Sequence, residues 1–445
     1  ELTSYFKYLL VDDLDDSDSA GVGTFTRATT KTTPTGLVGS TATIGEFLTG
    51  APAYVATHFF PNVITAAGSS SGNYAPQHGL LIEPAATNII LRSEEFDNAS
   101  WSKTRGSIIA DDIASPLQDS PTTADRCTTD GLSSGSGIAI KQNFTITSGA
   151  DVTVSCYMKA GTGASVSLAV QSNPLIVPVI DPLIGNSGRV VFDLTNGTSG
   201  AASSSGNITV TNQGMYSVGN GWFYCWISCS TTALTAMKYV FLRHGAATDD
   251  GSDYFYLWGA QVTETDSPKS YIATTTTAAT TNKDQLTIPL STLPDYGAGT
   301  SNNFVIDFFY TPKAIESGDN FLISFQDAND GVNIGYTPST DVWFFNKKVG
   351  GVNSAVTVTE PVTGTVSMIP GYKYRIRATC DSVLGMTLHV YFIDSSGDKN
   401  NLYGTNTNAD DVDFSAITNG AVGQSYALGN TCNGCIGSLR AYVYA

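Results

Sequence analysis

The side chains here that could do chemistry are four histidines, seven cysteines, serines within Gly-x-Ser-x-Gly, and the carboxylates. His58, His78, His244 and His389 are isolated from one another, and no His-Glu-x-x-His, P-loop or dinucleotide fingerprint occurs. Gly-x-Ser-x-Gly stands at 68–72 and at 131–135. A nucleophile elbow needs a buried strand before it and a helix after it. Both matches sit in Ser/Gly loops, so neither reads as a nucleophile. Glycoside hydrolysis requires two carboxylates flanking the scissile bond. The adjacent pairs Glu94-Glu95 and Asp410-Asp411 would face opposite ways on a strand, and the C-terminal half has no Glu-x-Asp-x-Glu cluster. The expectation is a protein that is not an enzyme. A glycan depolymerase drawing carboxylates from distant loops is the catalytic alternative.

Metal and redox chemistry are equally thin. The acidic run Asp12-Asp-Leu-Asp-Asp-Ser-Asp18 is the place to look for a structural calcium ion. A calcium loop alternates its carboxylates and closes on a distal glutamate. Here Leu14 breaks the alternation and no glutamate follows, so a solvated turn is expected. Cys225 and Cys229 share strand parity and read as small buried hydrophobes. Cys432 and Cys435 form Cys-x-x-Cys without the βαβ context of a redox site, and nothing in the sequence brings the two cysteine pairs together as a zinc site. No cofactor is expected.

Binding needs less than catalysis. Sugar rings pack their C–H faces on exposed aromatics while amides and carboxylates fix the hydroxyls. Trp101, Tyr336 and Trp343 lie near polar, turn-rich sequence and are the candidate glycan-binding residues, a core position being the alternative for each. Trp222, Trp226 and Trp258 read as core or sheet packing. Four Asn-x-Ser/Thr sequons stand at Asn98, Asn143, Asn196 and Asn207.

The elements that must position these groups are strands. Runs such as Val152–Met158, Ser165–Val170 and Gly188–Leu194 alternate with period two between Gly, Asn and Ser turns, which predicts packed antiparallel sheets. One helical turn is expected near Thr122–Arg126. A second strand series follows Thr274–Thr281, a Thr-rich stretch read as the domain boundary, and includes 303–310, 321–325, 342–345, 372–378 and 388–393. At 445 residues, two or three domains fit. The net charge of −17 opposes nucleic-acid binding, whose phosphates need Lys and Arg. No run of 18 apolar residues appears, so no membrane insertion is expected.

The stretch Gly79-Leu-Leu-Ile-Glu-Pro-Ala-Ala-Thr-Asn-Ile-Ile-Leu-Arg92 is two apolar runs broken at Pro84, which predicts two short strands around a corner. It resembles the "GLLIEPARTN" signature of surface and fibre proteins of tailed bacteriophages. Trp258-Gly-Ala-Gln-Val-Thr-Glu264 and Ser270-Tyr-Ile-Ala-Thr-Thr275 resemble the same family's closing motif, Phe25–Thr30 a segment ahead of the signature, and Val152–Ala160 a strand between the two. Asn433–Tyr442 is similar to the ending of concanavalin A-like domains in phage fibres. Ala86 and Asn282 stand where the family has arginines.

The resemblance implies an irregular N-terminal attachment segment at 1–78, a jelly roll like that of carbohydrate-binding modules at 79–280, and a concanavalin A or laminin G-like sandwich at 281–445. It also implies a virion-surface protein, a tail or head fibre that contacts other virion proteins and host-surface polysaccharide. A capsid or tail decoration protein without ligand is the alternative. Phe47, Phe59 and Phe60 must be covered, against the first sandwich or against symmetry mates. A homo-oligomer whose segment 1–78 contacts other copies or the virion is expected, with a trimer implied by the fibre family.

Overall fold

Alternating side chains reach their positions through antiparallel ladders alone. A computed structural model describes the strands within residues 24–43 and residues 80–443, apart from 117–122, 131–137, 173–185, 244–251, 290–299, 360–373 (save Met368), 394–398, 424–431 and shorter breaks. Among the described residues every regular element is a strand. The fold is all-β, built of antiparallel sheets packed as two β-sandwiches.

The first sandwich is one 13-stranded sheet that rolls over on itself. Strand Trp222–Thr231 shows why. Its Cys225, Ile227 and Cys229 point inward, where Leu168, Phe192 and Phe241 from the other half of the sheet meet them. Trp222, Tyr224 and Trp226, of opposite parity, join Tyr157, Trp258 and Tyr271 in a separate aromatic layer on the outside of the same strands. Burying side chains of this size is worth about 1.5–3 kcal/mol each, so parity fixes the register. The expected helical turn near Thr122–Arg126 is replaced by strand Ala124–Thr129. Pairing with Tyr254–Leu257 on one side and Gly106–Ile113 on the other overrides the local helical preference.

The second sandwich packs a six-stranded sheet on an eight-stranded one. Phe304, Ile306, Phe308, Ile376 and Leu388 of the first meet Ile323, Phe325, Ile334 and Phe345 of the second in one core. One flank is closed where Asn406 Nδ2 of the first sheet donates to Ala355 O of the second, at 2.8 Å.

The two sandwiches do not follow one another along the chain as the boundaries 79–280 and 281–445 imply. Pro84 does break the signature into two strands, Leu80–Ile82 and Ala86–Asn88, but they belong to different sheets. Leu80–Ile82 pairs with Asn433–Val443, at the edge of the second sandwich. Ala86–Asn88 pairs with Ala279–Thr281, so the chain enters and leaves the first sandwich through a two-stranded neck. The first sandwich is thus an insertion in the second. The Thr-rich stretch is correspondingly no free linker: Thr274 is buried, and the four residues from Thr275 to Ala278 are exposed before the neck begins.

Within the expected attachment segment, Thr24–Thr26 bridges Gln285–Thr287 and Thr41–Thr43, extending the eight-stranded sheet. Phe47, Phe59, Phe60, the acidic run 12–18, both Gly-x-Ser-x-Gly matches and His58, His78 and His244 lie outside the described residues.

Candidate functional site

The signature residues come together, so they are the first place to look for chemistry. Asn88 is wholly buried; its Nδ2 donates to Ile272 O (2.8 Å) and Ala260 O (3.2 Å), and its Oδ1 accepts from Val262 N (3.0 Å). Glu83 is equally buried and accepts from Ser270 N at 3.1 Å. Gln261 Oε1 accepts from Ile272 N at 2.7 Å. Ser93 Oγ meets Tyr271 Oη at 2.7 Å and accepts from Thr274 N at 2.8 Å, while Tyr271 Oη also donates to Glu94 Oε1 at 2.9 Å. Gln142 substitutes for a strand, accepting from Leu91 N (2.7 Å) and donating to Leu91 O (2.9 Å). Gly259 holds φ at +63°, with the rings of Tyr157 and Tyr271 pressed against it. A register shift there turns Trp258 outward and Ala260 inward.

Two carboxyls in this region are perturbed. Burial pushes the Asp125 carboxyl up to about 6, against the lowering effect of hydrogen bonds from Asp111 N and Phe96 N. Burial likewise raises Glu94, while its bond from Tyr271 lowers it and Glu95 raises it further. Perturbed groups cluster at functional sites, but structural networks perturb them too. Asp125 is buried and holds the 92–101 turn through backbone N–H groups, and Glu94 is tied to Tyr271. The hydrogen bonds of this network run inward, between the neck, the 267–274 return and the outer aromatic layer. The assembly works as a clasp.

The three aromatics singled out from sequence are not a platform. Trp101 is 1 % exposed, Tyr336 0 % and Trp343 2 %. Trp101 packs on Phe96 and Phe241 and donates Nε1–H to Arg92 O at 2.9 Å. Tyr336, Trp343, Tyr374 and Phe392 stack in sequence across the second core, with centroids 5.1, 5.2 and 5.6 Å apart. Met368 N donates to Tyr336 Oη, which itself donates to Asp341 Oδ1. The expectation of a sugar stacked on these rings is corrected: strand parity turns Tyr336 and Trp343 into the second core, and Trp101, just ahead of strand Ser102–Thr104, is packed into the first. Trp222, Trp226 and Trp258 are buried as expected, as are Cys225 and Cys229; Cys432 is buried too.

An exposed aromatic surface does exist, on the outer face of the six-stranded sheet. In strands Tyr374–Asp381, Gly385–Ile393 and Lys399–Asn406, the inward residues are Tyr374, Ile376, Ala378, Leu388, Val390 and Leu402. Opposite parity sends Arg375, Arg377, His389, Tyr391 and Tyr403 outward. The register sets Asp307, Arg377, His389 and Tyr403 side by side in one row across four strands. Phe309, Arg375 and Tyr391 form the next row. The rings of His389 and Tyr391 lie parallel, with an interplanar angle of 1° and centroids 5.4 Å apart. Tyr403 lies against His389, with centroids 4.5 Å apart and the rings tilted by 37°, and is 56 % exposed. Arg375 grips Asp307 with two hydrogen bonds, at 2.9 and 2.5 Å. Among the described residues, none makes a side-chain hydrogen bond or ion pair with Arg377, which is half-buried beside them.

This surface offers flat rings for apolar C–H faces, a guanidinium for an anion and hydroxyls for polar groups. His389 reads from sequence as a partnered or exposed sheet residue. The alternation of Arg, His and Tyr with Ile, Ala, Leu and Val across the three strands is the signal that would have found the rest. Among the described residues, no group of His, Cys, Asp and Glu is arranged to hold a metal ion.

No family model matches the sequence, and no curated protein does either. Among solved structures, mouse laminin alpha1 chain domains LG4-5 are similar at 12 % identity and a TM-score of 0.24, over 70 % of this chain and 88 % of that one. The botulinum neurotoxin serotype G binding domain is similar at 8 % identity and a TM-score of 0.17, over 75 % and 81 %. With likenesses this low, the fold assignment rests on the strand pairings themselves.

Proposed function

We propose that the protein is a non-enzymatic binding protein of a bacteriophage particle surface, which holds a host-surface glycan on the outer face of its six-stranded sheet. The observation that carries the binding role is the contiguous Tyr391–His389–Tyr403 run of rings, partly exposed and most open at Tyr403, beside Arg377. Exposed aromatic rings joined by a few polar groups are what a saccharide needs. The particle surface as location rests on the resemblance of the 79–92 and 258–275 motifs to tailed-phage surface proteins. The inward-facing clasp supports that resemblance as one of architecture, since it gives each motif residue a structural task.

Self-association through residues 1–78, as a trimer, and contact with other virion proteins belong to the same proposal. A glycan array probed with the full chain and with Tyr403→Ala tests the binding role. Loss of array signal in the variant, with unchanged tryptophan fluorescence, is the expected result. Equal signal in both would remove this face as the site.

A further inference from the structure

The chain carries 22 basic against 39 acidic residues, yet three arginines fall on neighbouring strands of one sheet. Arg375 and Arg377 lie on Tyr374–Asp381, and Arg440 stands in register opposite Asp307. Asp307 is the carboxylate in the row, and it is already engaged by both nitrogens of Arg375. Arg377, directly opposite Asp307 in register, thereby has no free anion beside it among the described residues.

A half-buried guanidinium without a partner forgoes hydrogen bonds that a planar, two-oxygen anion would supply. Its other neighbour in the row is His389, beyond which Tyr403 stands more than half in solvent. Resting on the reading of this face as a glycan site, we infer that its ligand is an acidic saccharide. A sugar-ring carboxylate would lie in the fork of Arg377, with the C–H face of the ring on His389 and Tyr403.

Charge complementarity is local here. The net charge of −17 repels an acidic polymer at long range, but salt screens that repulsion beyond about 10 Å at 0.1 M. A contact pair on a partly buried guanidinium is screened much less. Carboxylate is favoured over a neutral sugar because a neutral hydroxyl accepts one bond from Arg377, whereas a carboxylate accepts two in parallel with charge on both partners.

The test is calorimetric titration of the full-length chain with oligogalacturonate, sialyllactose, and their neutral counterparts, the methyl-esterified oligomer and lactose. At least one acidic member should bind tenfold or more tightly than its neutral counterpart. Arg377→Gln should abolish that difference, weakening the acidic member far more than its neutral counterpart. Tyr403→Ala should weaken acidic and neutral members together. Unchanged tryptophan fluorescence is the check that both variants are folded.

Equal binding of acid and neutral counterpart, or an acid preference that survives Arg377→Gln, overturns the acidic-ligand inference. The glycan reading of the face still stands in that case if Tyr403→Ala weakens binding. Absence of binding to every probe, or binding insensitive to both substitutions, overturns the inference and the reading of this face together.

Discussion

Removing the side chain of Asn88 should damage the first sandwich more than any exposed substitution nearby. Asn88→Ala deletes two donors and one acceptor at once, stranding Ile272 O, Ala260 O and Val262 N in a site that excludes water. A net hydrogen bond is worth about 1 kcal/mol, and a buried group left unpaired costs about 1–3 kcal/mol. Part of that loss is recovered if a water enters the space left by the amide. A destabilisation of about 3–5 kcal/mol is therefore expected. Thr87→Ala is the control, since it removes only the exposed 2.8 Å contact between Thr87 and Thr280 and should cost no more than about 1 kcal/mol. Of the five tryptophans, Trp101, Trp222, Trp226 and Trp258 lie in the first sandwich and Trp343 in the second. Urea unfolding followed by fluorescence in a Trp343→Phe background thus isolates the first sandwich. If Asn88→Ala and Thr87→Ala shift the urea midpoint equally, the clasp does not hold the sandwich and the reasoning fails.

Asp125 should give the first sandwich a pH dependence. Burial lifts its carboxyl from 3.8 to about 6, so its contribution to stability is fully present below the lower value and is lost as pH rises through the upper one. Between about pH 4 and about pH 7 the urea midpoint of the parent should fall relative to that of Asp125→Asn, which cannot titrate; a constant gap would contradict the assignment. Lys347 is wholly buried and donates from Nζ to Asn408 O at 2.9 Å and Asp410 O at 2.8 Å. Lys347→Met should strand these carbonyls, lower the unfolding midpoint of the second sandwich read at Trp343, and cost about 1–3 kcal/mol. Gly259→Ala forces a side chain into left-handed backbone against two rings, so a loss of at least about 1–2 kcal/mol is expected by thermal melting.

Much of the fold was legible because strand parity is a local property. The alternation in 222–229 sorts Cys225 and Cys229 from Trp222 and Trp226, and the structure puts the two sets in different layers. The corner at Pro84 was legible for a similar reason, since proline acts on its own backbone and its neighbour's. Which sheet each half of the corner joins was not. The partners of Leu80–Ile82 stand near the far end of the chain, and no local pattern encodes them. Ala124–Thr129 failed as a helical turn because two flanking ladders outweigh the weak preference of six residues. Trp343 and Tyr336 misled because nearness to a turn in sequence does not say which way a side chain points. On the Arg/His/Tyr face the pattern was present, and only reading it across three strands together turns it into a surface.

The neck formed by Ala86–Asn88 and Ala279–Thr281 also bears on the order in which the molecule is made. During synthesis Leu80–Ile82 emerges long before Asn433–Val443, the strand it must pair with. An unpaired strand left waiting is an invitation to aggregate. Contacts so remote in sequence are also slow to find, because a long loop must be closed first. Once the inserted sandwich has folded and its neck has zipped, that loop is closed: the ends at 86 and 281 are held side by side, and Leu80–Ile82 is presented next to the chain still leaving the ribosome. The insertion then acts as a staple placed early in translation, and the second sandwich nucleates against a strand already in place. Substitutions that loosen the clasp should therefore lower the yield of the C-terminal sandwich, although they touch none of its residues.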